Sequence, residues 1–195
     1  RSPTRSRRRA LPRWMGSPLD ERNRGAWLQT GTTLCLIGND HTDSARLLIS
    51  QDDINLVRVG QHSKAYHEVA VRVLTEGLVE LGLLAGDVDE LIENGSYRRF
   101  YMHGTGHWLG MDVHDVGSYK DEDGEAWRPL KAGMVLTVEP GLYVAADDDT
   151  VEPRWRGIGI RIEDDVLVTA EGHEVLTAAA PKTIVEIEEW MYERR

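Results

Sequence analysis

The sequence predicts an α+β fold, on three observations. In the middle of the chain, apolar residues recur with a helical period and charged residues hold the opposite face. Beyond residue 100 the period falls to two, the mark of strands. The helical stretches precede the strands instead of alternating with them, which points away from a parallel βαβ sheet. The 195 residues suit one sizeable domain, and no internal repeat divides them.

Taken in order, residues 1–30 are rich in Arg, Ser, Pro and Gly and carry no usable periodicity. The expectation there is a disordered segment. TTLCLIG (32–38) reads as a short strand closed by a turn at Gly38-Asn39-Asp40. Residues 43–60, DSARLLISQDDINLVRVG, read as mixed helical. Over 65–84, Glu68, Arg72, Glu76 and Glu80 recur every fourth place, with Ala70, Leu74, Leu78 and Leu81 opposite. That spacing predicts an amphipathic helix with one stripe toward a core. Glu68 precedes Arg72 by four, the favourable order for an ion pair.

Gly86 then ends this helix, and Asp87 with Glu90 forms a capping box for a second, VDELIEN, which stops at Gly95. MVLTVEPGLYV (134–144) alternates, with Val135, Thr137 and Glu139 on one face and Leu136 and Val138 on the other. GIGIRIEDDVLVT (157–169) does the same, with Ile158, Ile160 and Ile162 opposite Gly159, Arg161 and Glu163. A capping box at Thr183 and Glu186 opens a C-terminal helix.

Composition narrows the function. At 41% apolar the chain can bury a core, and it has no run of about 18 apolar residues, so no membrane span is expected. No signal-peptide pattern opens it. The single cysteine, Cys35, excludes an internal disulfide and a thiolate metal cage, and fits a reducing compartment. It reads as a small apolar residue. Residues 1–24 hold eight arginines against Asp20 and Glu21, a balance of +6, which leaves −16 for the rest of a chain whose net charge is −10. So acidic a body argues against nucleic acid as partner. The basic end reads first as a solvated tail, with a nucleic-acid or acidic-surface patch or an Arg- and Ser-rich organellar transit peptide as alternatives.

The chemistry concentrates in HGTGHWLGMDVHD, 103–115, which holds three of the seven histidines. Gly104, Gly106 and Gly110 make a helix improbable there. In an extended chain His103 and His107 share a face, whereas His114 needs a bend near Gly110 to return. Any one histidine alone would read as an ordinary satisfied residue; three clustered around glycines favour a site. Glu139 stands in an otherwise apolar strand, where a carboxylate is costly unless paired or bound to a cation. Otherwise it faces solvent at the strand end. Glu163 shares a face with Arg161, which by itself reads as an exposed ion pair of little worth. One explanation covers all of them: an imidazole and two carboxylates holding a divalent ion such as Mn²⁺, Fe²⁺, Co²⁺ or Zn²⁺.

Four stretches, GDVDELI, YMHGTGHWLGMDVHDVG, LKAGMVLTVEPGLYV and RGIGIRIEDDVLVT, in this order and spacing, resemble the C-terminal part of the aminopeptidase P family of Xaa-Pro aminopeptidases. The resemblance runs from about Val57 to near the C-terminus, so residues 57–195 read as the C-terminal part of a pita-bread metallopeptidase domain and residues 1–56 as a segment unlike the family. It implies the creatinase/methionine aminopeptidase-like pita-bread fold, incomplete in its N-terminal half. It implies His107, Glu139 and Glu163 as metal ligands, His103 and His114 as the catalytic histidines that contact substrate or carry protons, and Arg161 and Tyr143 as substrate-binding residues or neighbours of the ligands. The implied cofactor is manganese, two ions per site in the family, and the implied substrate is a peptide with proline at its second position.

The family's two upstream aspartate ligands have no match. Their places fall near Asp20, an aspartate, and Thr30, which is not. At most one ion is therefore expected. The activity expected is metal-dependent Xaa-Pro aminopeptidase, impaired by the missing ligands; the alternatives are an inactive pita-bread binding module and a prolidase-like dipeptidase. A cytoplasmic location is expected, or the mitochondrial matrix if the basic end is a transit peptide. No nucleic-acid or membrane partner is expected, and a homo-oligomer stays open.

Overall fold

The structure is a computed structural model and describes residues 34–36, 45–47, 52–182 and 184–192. Strands β1 (Leu34–Leu36) and β2 (Ala45–Leu47) pair antiparallel. β2 corrects the helical reading of residues 43–60, in which α1 (Asp52–Asn55) is the only helix among the described residues. The cross-strand partner supplied by β1 outweighs the weak local preference. The turn expected at Gly38-Asn39-Asp40 lies outside the described residues.

Helix α2 (Ser63–Glu80) forms where the period of four predicted it. It buries Tyr66, Ala70, Leu74 and Leu78, with Val71 and Thr75 widening the stripe. His62 caps it: Nδ1 accepts from the Ala65 amide at 3.2 Å, one of the orphan donors of a helix start. The Glu68–Arg72 pair expected on the outer face is replaced. Glu68 meets Lys64 at 2.9 Å, and Arg72 reaches Asp89 at 2.5 Å. All four side chains are exposed, so the exchange shifts stability by no more than about 1 kcal/mol. Asp89 belongs to α3 (Val88–Glu93), which is capped by Asp87, whose carboxylate accepts from the Asp89 and Glu90 amides. Gly95, at φ +74°, takes the left-handed turn that ends it.

The strands make two connected ladders. β3 (Val135–Val138) pairs with β6 (Asp164–Val168), which also pairs with β7 (His173–Val175). β4 (Gly141–Tyr143) pairs with β5 (Gly159–Arg161). Each alternating stretch is therefore broken in two, the first at Glu139-Pro140 and the second at Ile162-Glu163. Pro140 has no N–H to offer a ladder, yet its carbonyl still accepts from the Ile162 amide at 3.0 Å. Val138 pairs with Asp164 before the break and Gly141 with Arg161 after it, so the register is kept and Glu139 stands opposite Glu163.

Two buried clusters flank this kinked ladder. Val71, Leu74 and Leu78 of α2 pack with Phe100, Leu142 and Ile160. Tyr66, on the same helix, packs with Trp108, Leu130, Leu136, Val138 and Val166. Helix α2 thus braces both halves. Helix α4 (Ile184–Tyr192) closes the described chain. Glu186 accepts the Lys182 amide at 3.0 Å, whereas the Thr183 half of the expected capping box lies outside the described residues. Among the described residues no helix is long and apolar enough to cross a membrane.

Candidate metal centre

The site grows from a short extended segment that runs beside β3. The Glu139 amide donates to the Thr105 carbonyl at 2.6 Å, the Thr137 amide to the His107 carbonyl at 2.9 Å, and the Leu109 amide to the Val135 carbonyl at 3.1 Å. This lays residues 105–109 antiparallel against β3 and puts His107 beside Thr137, on the face that Glu139 also uses. The His107 amide donates to Thr137 Oγ1 at 3.0 Å, and Thr137 Oγ1 donates to Glu139 Oε1 at 3.1 Å. Thr137, buried between them, was visible in the sequence only as a polar residue two places before Glu139; alternation put it on that face and gave it no task.

Three expected ligands come together. One donor atom each from His107, Glu139 and Glu163 lies within 4.8 Å of the others. His107 Nε2 is 3.2 Å from Glu139 Oε1. The other ring nitrogen, Nδ1, is 2.9 Å from the Trp108 carbonyl; a carbonyl only accepts, so Nδ1 carries a hydrogen, which in a neutral ring leaves the lone pair on Nε2. That is the tautomer an imidazole ligand needs, and the carbonyl is the sort of partner that fixes such a ring. Glu139 and Glu163 face each other across the ladder, a like-charged pair that is unfavourable unless something positive intervenes. Arg161 supplies part of it, with Nε 3.6 Å from Glu139 and 3.7 Å from Glu163. One exposed guanidinium at that distance leaves room for more positive charge. The donor set therefore fits a divalent ion of the borderline class.

Burial, then the charge of Glu139, pushes the Glu163 carboxyl above the ordinary glutamate range. A group whose pKa is raised on folding contributes stability at low pH that is lost as the pH rises through that value. Binding of a cation runs the other way, because the ligand must first shed its proton. Divalent-metal affinity should accordingly rise with pH from the ordinary glutamate range up through the raised one. Calorimetric titrations in buffers of different ionisation enthalpy should show protons released at mildly acidic pH and fewer as the pH climbs. Heats independent of buffer across that interval would contradict this.

The two remaining histidines take different places. His103 Nδ1 donates to the Gly104 carbonyl at 2.7 Å, so its Nε2 accepts from Tyr143 OH at 2.9 Å. Tyr143 also lies within the influence of Arg161, and burial raises its hydroxyl pKa against the pull of that guanidinium. A chain His103–Tyr143–Arg161 thus runs to the carboxylates. All three residues are expected near the site from the sequence, but their order in this chain is not. His114 returns to the site through a bend at Gly110, as the odd spacing required. Gly110 N–H donates to the Asp112 carbonyl and Asp115 N–H to the Trp108 carbonyl, and the His114 ring ends edge-on to His107 at 4.3 Å between centroids.

This bend is held shut by small residues. A Cβ on Gly117 would sit 2.5 Å from Trp108 Cδ1, and Trp108 is buried and stacked on Tyr119. Gly117→Ala should cost about 1–3 kcal/mol, the usual range for overpacking, read as a lower midpoint in urea. An unchanged midpoint would mean the indole moves freely.

Known proteins resemble this chain in sequence and in fold. The model of metallopeptidase family M24 matches residues 29–170, a span that includes residues 29–56. A Xaa-Pro aminopeptidase of Haemophilus influenzae is 53% identical over 138 residues, 71% of this chain and 31% of its own length. One of Escherichia coli is 50% identical over 145 residues, 74% of this chain and 32% of its own. The chain thus spans about a third of the length of these curated relatives. Among solved structures, the Pseudomonas aeruginosa aminopeptidase PepP superposes with a TM-score of 0.67 at 49% identity, over 77% of this chain and 38% of that one. Aminopeptidase P from E. coli, solved with the inhibitor Pro-Leu, does so with 0.66 at 51%, over 73% and 32%. These likenesses place the described residues in the pita-bread fold expected from the sequence, and the chain belongs to metallopeptidase family M24.

Proposed function

We propose that this chain is a metal-dependent aminopeptidase that removes the N-terminal residue ahead of a penultimate proline. The observation that carries the reading is the convergence of His107, Glu139 and Glu163 donor atoms. The Xaa-Pro aminopeptidases it resembles support the reaction, and the Pro-Leu inhibitor of the E. coli enzyme supports a proline-containing ligand. Manganese is the proposed ion, one per chain, because three protein ligands are assembled among the described residues. When bound, such an ion supplies Lewis acidity, polarising a carbonyl and acidifying water.

The chain's own residues do the rest. His107 Nε2, Glu139 and Glu163 hold the cation. His114, exposed beside His107, is placed to carry a proton or donate to a developing oxyanion. His103 is oriented by Tyr143, which Arg161 holds in turn, so the imidazole faces substrate with a fixed tautomer. The single Cys35 supports a reducing location such as the cytoplasm, and the acidic body supports a peptide partner over nucleic acid.

The test pairs a calorimetric Mn²⁺ titration with hydrolysis of an Xaa-Pro-Xaa tripeptide and an Xaa-Pro dipeptide. The expected result is one bound ion and release of the first residue from the tripeptide. Cleavage of the dipeptide alone would make it prolidase-like. Binding of the tripeptide with no turnover at high protein concentration would make it a binding module, and two tightly held ions would overturn the single-ion site.

A further inference from the structure

Helix α2 touches the metal-bearing loop through one side chain that the reading above does not use. His67 is half-buried, and its Nδ1 lies 2.7 Å from Thr105 Oγ1, 38 residues away in sequence. Thr105 is buried and flanked by Gly104 and Gly106. Between His103 and His107 its hydroxyl is therefore the only side-chain handle by which this stretch can be gripped. Tyr101 OH reaches the same oxygen at 2.5 Å. A threonine hydroxyl has one proton to donate and two lone pairs that accept, so Thr105 can engage both neighbours at once, and the three groups form an unbroken chain. Burial holds the His67 pKa below the ordinary histidine value, which keeps a lone pair on the ring.

Thr105 also bears on the ligands through its backbone. Its carbonyl accepts the Glu139 amide at 2.6 Å, two residues before His107 pairs with Thr137. Movement of Thr105 therefore moves the backbone of both Glu139 and His107. We propose that His67 is a positioning residue: through the Thr105 hydroxyl it ties helix α2 to the loop and sets the spacing of His107 and Glu139. The proposal rests on the reading of His107, Glu139 and Glu163 as a metal centre. It adds a partner, supplied by the first long helix, that touches neither ion nor substrate.

The experiment uses four single variants of the whole chain and one double. His67→Phe and Thr105→Val keep bulk and delete the tie, while His67→Asn and Thr105→Ser keep a hydrogen-bonding atom near the original place. Outer partners of metal ligands typically change affinity about 10–100-fold when lost. His67→Phe and Thr105→Val should each weaken Mn²⁺ binding by about tenfold or more, the double variant no further than Thr105→Val alone, since that variant already cuts the bond to His67. The Asn and Ser variants should recover most of the loss. Hydrogen exchange at the Glu139 amide should quicken in the Phe and Val variants alone.

A lower melting temperature with unchanged Mn²⁺ affinity would reduce His67 to a packing residue and overturn the proposal. So would losses that add fully in the double variant. If the parent chain binds no Mn²⁺, the metal reading fails by itself. The tie is then judged on exchange at Glu139, and unchanged protection in His67→Phe refutes it.

Discussion

Replacing His107 with alanine is expected to abolish Mn²⁺ binding and peptide turnover together. Of the three ligands it is the only imidazole and the only one from outside the two alternating stretches 134–144 and 157–169. Its removal leaves Glu139 and Glu163 opposite each other with Arg161 near both, which holds them as an ion-pair network and not as a coordination site. Loss of an outer partner already weakens a metal site about 10–100-fold, so loss of a ligand should exceed that. The cation's charge stabilisation is worth several kcal/mol, on the order of 10³ in rate at about 1.4 kcal/mol per decade.

The fold should survive, since the side chain is half-buried and gives up one hydrogen bond, about 1 kcal/mol. Thermal unfolding separates the two effects. At a hundredfold excess over its Kd, Mn²⁺ should stabilise the parent by about 2.7 kcal/mol and leave His107→Ala unmoved. A variant that still binds the ion with parent affinity would remove His107 from the site.

What the sequence made readable follows from period and chemistry, and what it hid follows from connectivity. The buried face of α2 and its capped successor α3 were readable because their signals are local: the spacing of Ala70, Leu74 and Leu78, and a carboxylate at Asp87. The site residues were readable because each is an odd residue in its surroundings, such as Glu139 within an apolar strand. The breaks at Glu139-Pro140 and Ile162-Glu163 were not. Alternation runs through both without interruption, and only the pairing partners show that each stretch passes from one ladder to the other. That passage is what sets the two glutamates face to face. The His67–Thr105 tie was hidden for a related reason: neither residue is unusual on its own helix or loop, and a contact across 38 residues leaves no periodic trace. Strand β2 escaped because three residues give too few repeats to separate a period of two from one of 3.6.

The same ladder carries the largest expected loss of stability, at Lys182. Asp164, the residue after Glu163 and the cross-strand partner of Val138, is buried at 1% exposure. Its carboxylate accepts from Thr177 Oγ1 at 2.6 Å and pairs with Lys182 Nζ. Thr177 Oγ1 in turn accepts the Asp165 amide at 3.1 Å. This cluster fastens the segment leading into α4 to the strand that bears Glu163. Lys182→Met keeps the length of the side chain and deletes its charge, leaving a buried carboxylate with a single neutral donor. Breaking a buried pair in this way costs about 3–5 kcal/mol, a large part of the 5–15 kcal/mol that holds most domains folded. The urea midpoint should fall accordingly.

Adding Asp164→Asn should restore much of the loss, because the uncompensated charge and not the missing ammonium is what destabilises. That recovery separates the cause from mere truncation of a long side chain. A loss below about 1 kcal/mol in the single variant would place the pair with ordinary surface bridges, and the C-terminal segment would then be held by its packing alone.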